Sequence, residues 1–276
     1  MDLREKYSYV KEKSKLLSIL VKKCQNLLET SSLAEKCRIY LGDRINETTI
    51  KEFELGYFPN NENLSELNIN FDDFKLLNIF FDKNVCNNGI FQSENVSIFH
   101  NHNLIIPYYD MYGNVISLVG RTLLDEKIRK EKDIDKYKNS SCSKNYHLFN
   151  LNRAKKSIIE NNFTLLVEGQ FDVMQCFAHN IFNVVAIGSC HFTLFQALLL
   201  RRYTNNFVKC FDNDEAGHKA SAKIDKIFEQ YKKYINIFNV SNFLQNKDID
   251  MYLRDGNNSP QILLNNIYGQ IQLPFK

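Results

Sequence analysis

Apolar positions recur at helical spacing across residues 5–28, at Tyr9, Leu16, Leu17, Ile19 and Leu20, among many lysines. Ser31-Ser32 is suited to open a second helix running through Tyr40. The stretch "NETTIKEFELGYFPNN" predicts a short helix ending near Gly56, with Pro59 beyond it. Residues 60–72 are polar and acidic and predict a loop; a helical pattern follows near 73–81. "NLIIPYY" (103–109) and "NVISLVG" (114–120) predict two strands, with "DMYG" supplying the turn between them. Residues 125–145 are charged and serine-rich and predict an exposed loop, and 149–160 return to helical spacing.

The rhythm changes at Phe163. Apolar runs at 163–168, 182–187, 207–211 and 235–240 alternate with helical patterns at about 171–179, 193–202 and 215–233. Strands alternating with helices predict a mostly parallel sheet covered on both faces. Ligands of such sheets bind beyond the carboxyl ends of the strands.

Those ends carry acids. Glu168-Gly169 closes the first strand, with Asp172 one helical turn on. Asp212 and Asp214 close the third. Lys247, Asp248 and Asp250 follow the fourth. A lone D-x-D is common and Asp214 alone reads equally well as a helix cap. Three acidic clusters at successive strand ends of one α/β unit are more specific. Carboxylates brought so close repel and raise one another's pKa. Divalent cations relieve that repulsion, and hard oxygen donors suit Mg²⁺ or Mn²⁺. Metals held this way typically act on phosphates.

Composition narrows the class without naming a chemistry. The 276 residues are 44% hydrophobic and 24% charged, with a net charge of +3, so a nucleic-acid surface must be a local patch. The seven cysteines include no C-x-x-C pair, which argues against a zinc ribbon and for reduced core thiols. There is no signal-peptide pattern and no apolar run of membrane-spanning length.

The acidic pattern resembles the TOPRIM fold, with Glu-Gly after strand one, D-x-D after strand three and further acids after strand four. More narrowly the chain resembles the RNA polymerase core of bacterial (DnaG-type) DNA primases. "VEGQFDVM", "IGSCHFT", "FDNDEAGHKA" and "NKDID" are similar to that family's E-G-Y-x-D-V, L-G-T-A-x-T, F-D-G-D-x-A-G-x-x-A and K-D-P-D. Upstream, "YLGDRINETTIKEFELGYFP", "IIPYYDMYGNVISLVGR", "KYKNSS" and "YHLFNLNRAKKSI" resemble further primase elements in the same order, so that the likeness covers about residues 30–255. Asn213 stands in place of the glycine of D-x-D, Ile249 in place of a proline, and Asn103 where the family often has arginine.

The resemblance implies an α/β chain. Residues 1–160 would form a mixed α+β N-terminal subdomain with a template-binding basic ridge. Residues 161–255 would form a TOPRIM catalytic domain with a parallel sheet, and 256–276 a short helical tail. It implies primer synthesis on single-stranded DNA by nucleotidyl transfer from NTPs. Glu168, Asp212 and Asp214 would hold two or more Mg²⁺ or Mn²⁺ ions, supported by Asp172, Asp248 and Asp250; Gly188, Ser189 and Lys247 would meet the nucleotide. Arg44, Arg121, Lys136 and Tyr137 would track the template, the cations on phosphates and the ring on a base. Any one basic residue is more often a solvated surface charge, and only the motif context argues otherwise. No zinc is expected. Neither the amino-terminal zinc module nor the helicase-binding tail of the family is found in the sequence, so a helicase or a separate template-recognition protein is the expected partner. Initiation is expected to be weak and poorly selective. The expected compartment is cytoplasmic, at the nucleoid or replisome, with a phage, plasmid or organelle genome a fitting source. Two rival readings stand beside it, a TOPRIM-type metal-dependent nuclease and a non-catalytic single-strand-binding relic.

Overall fold

The computed structural model describes residues 2–272 except 88–89, 143, 189–191, 232, 245 and 247. The chain divides into two compact units. One comprises residues 1–109 and 114–142, the other 110–113 and 143–276.

The first unit opens with α1 (Leu3–Thr30), started by a capping box in which Asp2 and Glu5 satisfy each other's backbone N–H groups. Its buried stripe is Leu17, Leu20, Val21, Cys24, Leu27 and Leu28, while Ile19 turns outward. α2 (Glu35–Gly42) and α3 (Glu47–Glu52) follow, the latter capped by the Asn46 side chain. A four-stranded antiparallel sheet then forms in the order β1 (Gly56–Tyr57), β4 (Leu104–Tyr109), β5 (Val115–Arg121), β6 (Tyr137–Asn139). β4 is buried along its whole length. α1 packs on β1 and β5. The approach is closest at Gly56, where a Cβ would stand 2.5 Å from the Cys24 Cβ.

Four segments differ from the periodicity reading. Residues 60–72, expected as loop, include a 3₁₀ helix at Asn61–Leu67 that buries Leu64 and Leu67. Residues 73–81 form not an α-helix but a second 3₁₀ helix, Phe71–Leu77. Both end on left-handed asparagines, Asn68 and Asn78, a conformation asparagine tolerates. Between them and β4 lies an unanticipated hairpin of β2 (Phe80–Asn87) and β3 (Ile90–Ser97). The region 125–145 holds the short α4 (Glu126–Glu131) as well as β6.

The second unit is α/β. α5 (Leu151–Asn161) leads into β7 (Thr164–Val167), α6 (Gln170–Ala178), β8 (Val184–Ala186), α7 (Leu194–Leu200), β9 (Asn206–Lys209), α8 (Glu215–Phe228) and β10 (Asn236–Asn239). The four strands are parallel, in the order β10-β9-β7-β8. β7, β8 and β9 are fully buried, as runs of Leu, Val and Phe require when helices cover both faces. Leu166, Val185, Phe192, Phe207, Phe211 and Phe228 belong to one core cluster. α9 (Ile249–Arg254) and α10 (Pro260–Gln272) complete the unit. Among the described residues no helix is long and apolar enough to cross a membrane.

Candidate functional site

Parallel pairing sends β7 and β9 out of the sheet on the same edge. Glu168 follows β7 directly, and its Oε1 accepts the Asp212 backbone N–H at 3.1 Å. That bond joins the ends of two adjacent strands. Gly217, in the first turn of α8, lies so close that a Cβ there would overlap the Asp212 carbonyl and stand 3.0 Å from Glu168 Oε1. Asp214 Oδ1 accepts the Gly217 N–H at 3.0 Å. Glu168, Asp212 and Asp214 are thus tied together through one glycine. Asn213 does not occupy the left-handed region, so the loop makes no demand for glycine at that position.

Asp172 is buried at the start of α6 and accepts the Gly169 N–H at 2.8 Å. Its carboxyl is held well above the ordinary carboxylate range. Burial is the main cause, then the negative charge of Asp212; the Gly169 hydrogen bond offsets part of this, and Asp248 and Asp250 add to it. Four acids from three strand ends therefore share one electrostatic environment. Asp248 caps α9 through Met251 N–H at 2.7 Å. Asp250 is 3% exposed and pairs with Arg254 at 3.2 Å. Among the described residues no three such side chains already stand as a closed metal cage. Several carboxylates are turned to backbone N–H groups or to a guanidinium instead. The donor set, all hard oxygen and mutually repulsive, nonetheless fits Mg²⁺ or Mn²⁺.

Gly188 follows β8 with φ +64°, a left-handed conformation that favours glycine. Its carbonyl accepts Lys144 Nζ at 3.3 Å. Ser189 and Lys247, both expected to meet a nucleotide, lie outside the described residues. Cys176 and Cys210, buried beside Asp172, have their thiols pushed up first by burial, and behave as inert core groups.

The first unit gathers the expected basic residues. Arg121 and Tyr137 are cross-strand partners of β5 and β6, and the guanidinium donates to the Tyr137 hydroxyl. The Arg121 guanidinium carbon is 5.1 Å from the Tyr137 ring centre. Lys136 Nζ is 5.8 Å from the same ring. Arg44 reaches the cluster through a residue that sequence reasoning missed. Its Nη1 donates to the Tyr40 hydroxyl at 2.6 Å, and Arg121 lies 5.1 Å from the Tyr40 ring centre. The available signal was the Tyr40–Arg44 spacing, one helical turn. Asn103, in the family's arginine position, bonds Phe58 O at 2.8 Å and Asn60 Oδ1 at 2.7 Å, and so braces β4.

Comparison with known proteins agrees with both halves. Residues 24–155 match the family described as DNA primase catalytic core, N-terminal domain, and residues 165–253 match the family described as Toprim-like. The DNA primase of Lactococcus lactis subsp. lactis is 30% identical over 216 residues, covering 76% of this chain and 33% of the relative. The DNA primase of Aquifex aeolicus is 32% identical over 179 residues, covering 64% and 34%. The chain spans about a third of the length of these curated relatives. A crystal structure of the Aquifex aeolicus primase, with its zinc-binding and RNA polymerase domains, matches with a TM-score of 0.75 at 26% identity. It covers 96% of this chain and 63% of that one. A DnaG primase catalytic domain bound to ssDNA matches with a TM-score of 0.74 at 22% identity, covering 96% and 84%, a likeness of fold.

Proposed function

Because the chain belongs to the DnaG-type primase catalytic-core family, we propose that it synthesises RNA primers on single-stranded DNA by nucleotidyl transfer from NTPs. The observation that carries this reading is the meeting of Glu168, Asp212 and Asp214 at the shared edge of β7 and β9, through the Glu168–Asp212 and Asp214–Gly217 hydrogen bonds and the close approach of Gly217. The oxygen of a primer 3′-hydroxyl attacks the α-phosphorus of the incoming NTP. The bond to the bridging oxygen breaks, pyrophosphate leaves, and the hydroxyl proton passes to solvent. Bound Mg²⁺ or Mn²⁺ would neutralise phosphate charge and favour the ionised 3′-oxygen. Glu168, Asp212 and Asp214 would hold those ions, with Asp172, Asp248 and Asp250 supporting a second ion or the triphosphate. Gly188, Ser189 and Lys247 would meet the nucleotide. The remaining work of the protein is positioning.

Arg44, Arg121, Lys136 and Tyr137 would carry the template, consistent with the single-stranded DNA bound by the related catalytic domain. The test uses the purified chain, single-stranded DNA with an annealed RNA primer, labelled NTPs and Mg²⁺ or Mn²⁺. Extension products sized on a gel, lost on chelation, are expected. A folded chain that extends nothing, or that shortens the strands, overturns the reading.

A further inference from the structure

Tyr40 touches both arginines of the ridge. It sits in the last turn of α2, with Arg44 one turn further on. Its hydroxyl accepts from Arg44 Nη1 at 2.6 Å, while the Arg44 guanidinium carbon lies 5.3 Å from the ring centre. The same ring lies 5.1 Å from the Arg121 guanidinium, and Tyr137 lies 5.1 Å from it in turn. Arg121 is therefore held by two rings, one from the helix and one from the neighbouring strand.

We propose that Tyr40 is a positioning residue of the template ridge, fixing Arg44 and Arg121 in one geometry so that both meet backbone phosphates of the same single strand. The proposal rests on the template-binding reading above and deepens it. A surface arginine carries rotamer entropy that binding must otherwise remove. A guanidinium already stacked and hydrogen-bonded has lost that freedom before the ligand arrives. Bringing two like charges onto one ring is unfavourable in isolation and suits a polyanion that engages both. A tyrosine does what phenylalanine cannot, since its ring face attracts one cation and its hydroxyl oxygen accepts from the other.

The test measures binding of a fluorescent oligo-dT to the full chain by anisotropy, across a salt series, with the melting temperature of every variant. Tyr40→Leu should weaken binding about tenfold, since it removes the ring face and the hydroxyl that fix the two guanidinium groups. Its salt slope should stay near that of wild type, because both arginine charges remain. Arg121→Ala should reduce the slope. Combining Tyr40→Leu with Arg44→Ala and Arg121→Ala should add less than about a twofold loss, as expected of coupled residues. Tyr40→Phe keeps the packing ring, so it tests the idea even if the leucine variant is destabilised; it should weaken binding in the wild-type background and add little once Arg44 is already alanine. Wild-type binding by Tyr40→Leu, or losses that multiply independently in the arginine-free background, overturns the role of Tyr40 and leaves the template reading standing. A wild-type chain that fails to bind oligo-dT removes the template reading and this proposal with it.

Discussion

Gly217 sets how closely α8 approaches the ends of β7 and β9. Any side chain there would push against the Asp212 carbonyl, which is backbone, and towards Glu168 Oε1. Gly217→Ala should therefore displace two proposed ligands together. Primer extension is expected to fall about a hundredfold, since an error of about 1 Å in a reacting geometry costs that much. Gel assays alongside circular dichroism check it; an alanine variant with normal activity would show that the acids tolerate movement. The buried His102 gives a residue-scale dependence on pH. Its Nε2 lies 2.9 Å from the Asp135 carbonyl oxygen, and burial holds its pKa below the usual 6.5, only partly offset by that contact. The folded state thus favours the neutral ring. Above about pH 6.5 both folded and unfolded chains are neutral at this group and its contribution is complete. Below that value the unfolded chain takes up a proton that the folded chain resists, so stability falls as pH drops towards the folded pKa. Melting curves from pH 7.5 to 5.5 should decline less steeply for His102→Gln than for wild type.

At the scale of elements, β9 and α8 are joined by a buried cation. Lys209 lies within the β9 core, its side chain 2% exposed, and donates to Asp225 Oδ1 at 2.6 Å and Ser221 Oγ at 2.8 Å. The two partners are unequal, because Asp225 is 56% exposed and regains water if left alone. Asp225→Ala strands the buried ammonium and should cost about 3 kcal/mol. Lys209→Met fills the same space without charge and should cost about 1 kcal/mol or less. Urea denaturation of both variants checks the order, and a methionine variant less stable than the alanine one would refute it. The strands around Lys209 were legible from sequence because a sheet covered on both faces leaves continuous apolar runs, as at 165–167 and 184–187. The hairpin of β2 and β3 was not, since Asp82, Lys83, Asn84, Ser93, Glu94 and Asn95 break the apolar alternation. Its Asn88-Gly89 pair was the overlooked signal, a favoured hairpin-turn dipeptide. The acids were legible because strand ends in a parallel sheet share an edge. Tyr40 was not, because its partner Arg121 lies 81 positions away by number and only the folded sheet brings it near.

At the scale of the whole molecule, the two sets of residues with proposed roles belong to different compact units. Arg44, Arg121, Lys136 and Tyr137 lie in the first, and the acids from Glu168 to Asp250 lie in the second. Each set is held by its own unit's strands and helices, the ridge by β5, β6 and the α2 end, the acids by β7, β9 and α9. Template binding and nucleotidyl transfer should then be separable by mutation. Asp212→Asn keeps size and backbone but removes a charged oxygen donor, so primer extension should vanish. Its affinity for oligo-dT without metal should stay within about twofold of wild type, because the ridge proposed to meet phosphates is untouched. Arg121→Ala and Lys136→Ala should do the converse. Binding weakens and the salt slope falls by about one contact each, while extension recovers at saturating primed template. The measurement is a pair of titrations on the same proteins, anisotropy for binding and single-turnover extension for chemistry. If Asp212→Asn lost binding and extension in equal proportion while still folded, the template would have to depend on the acids as well, and the assignment of separate tasks to the two units would fail.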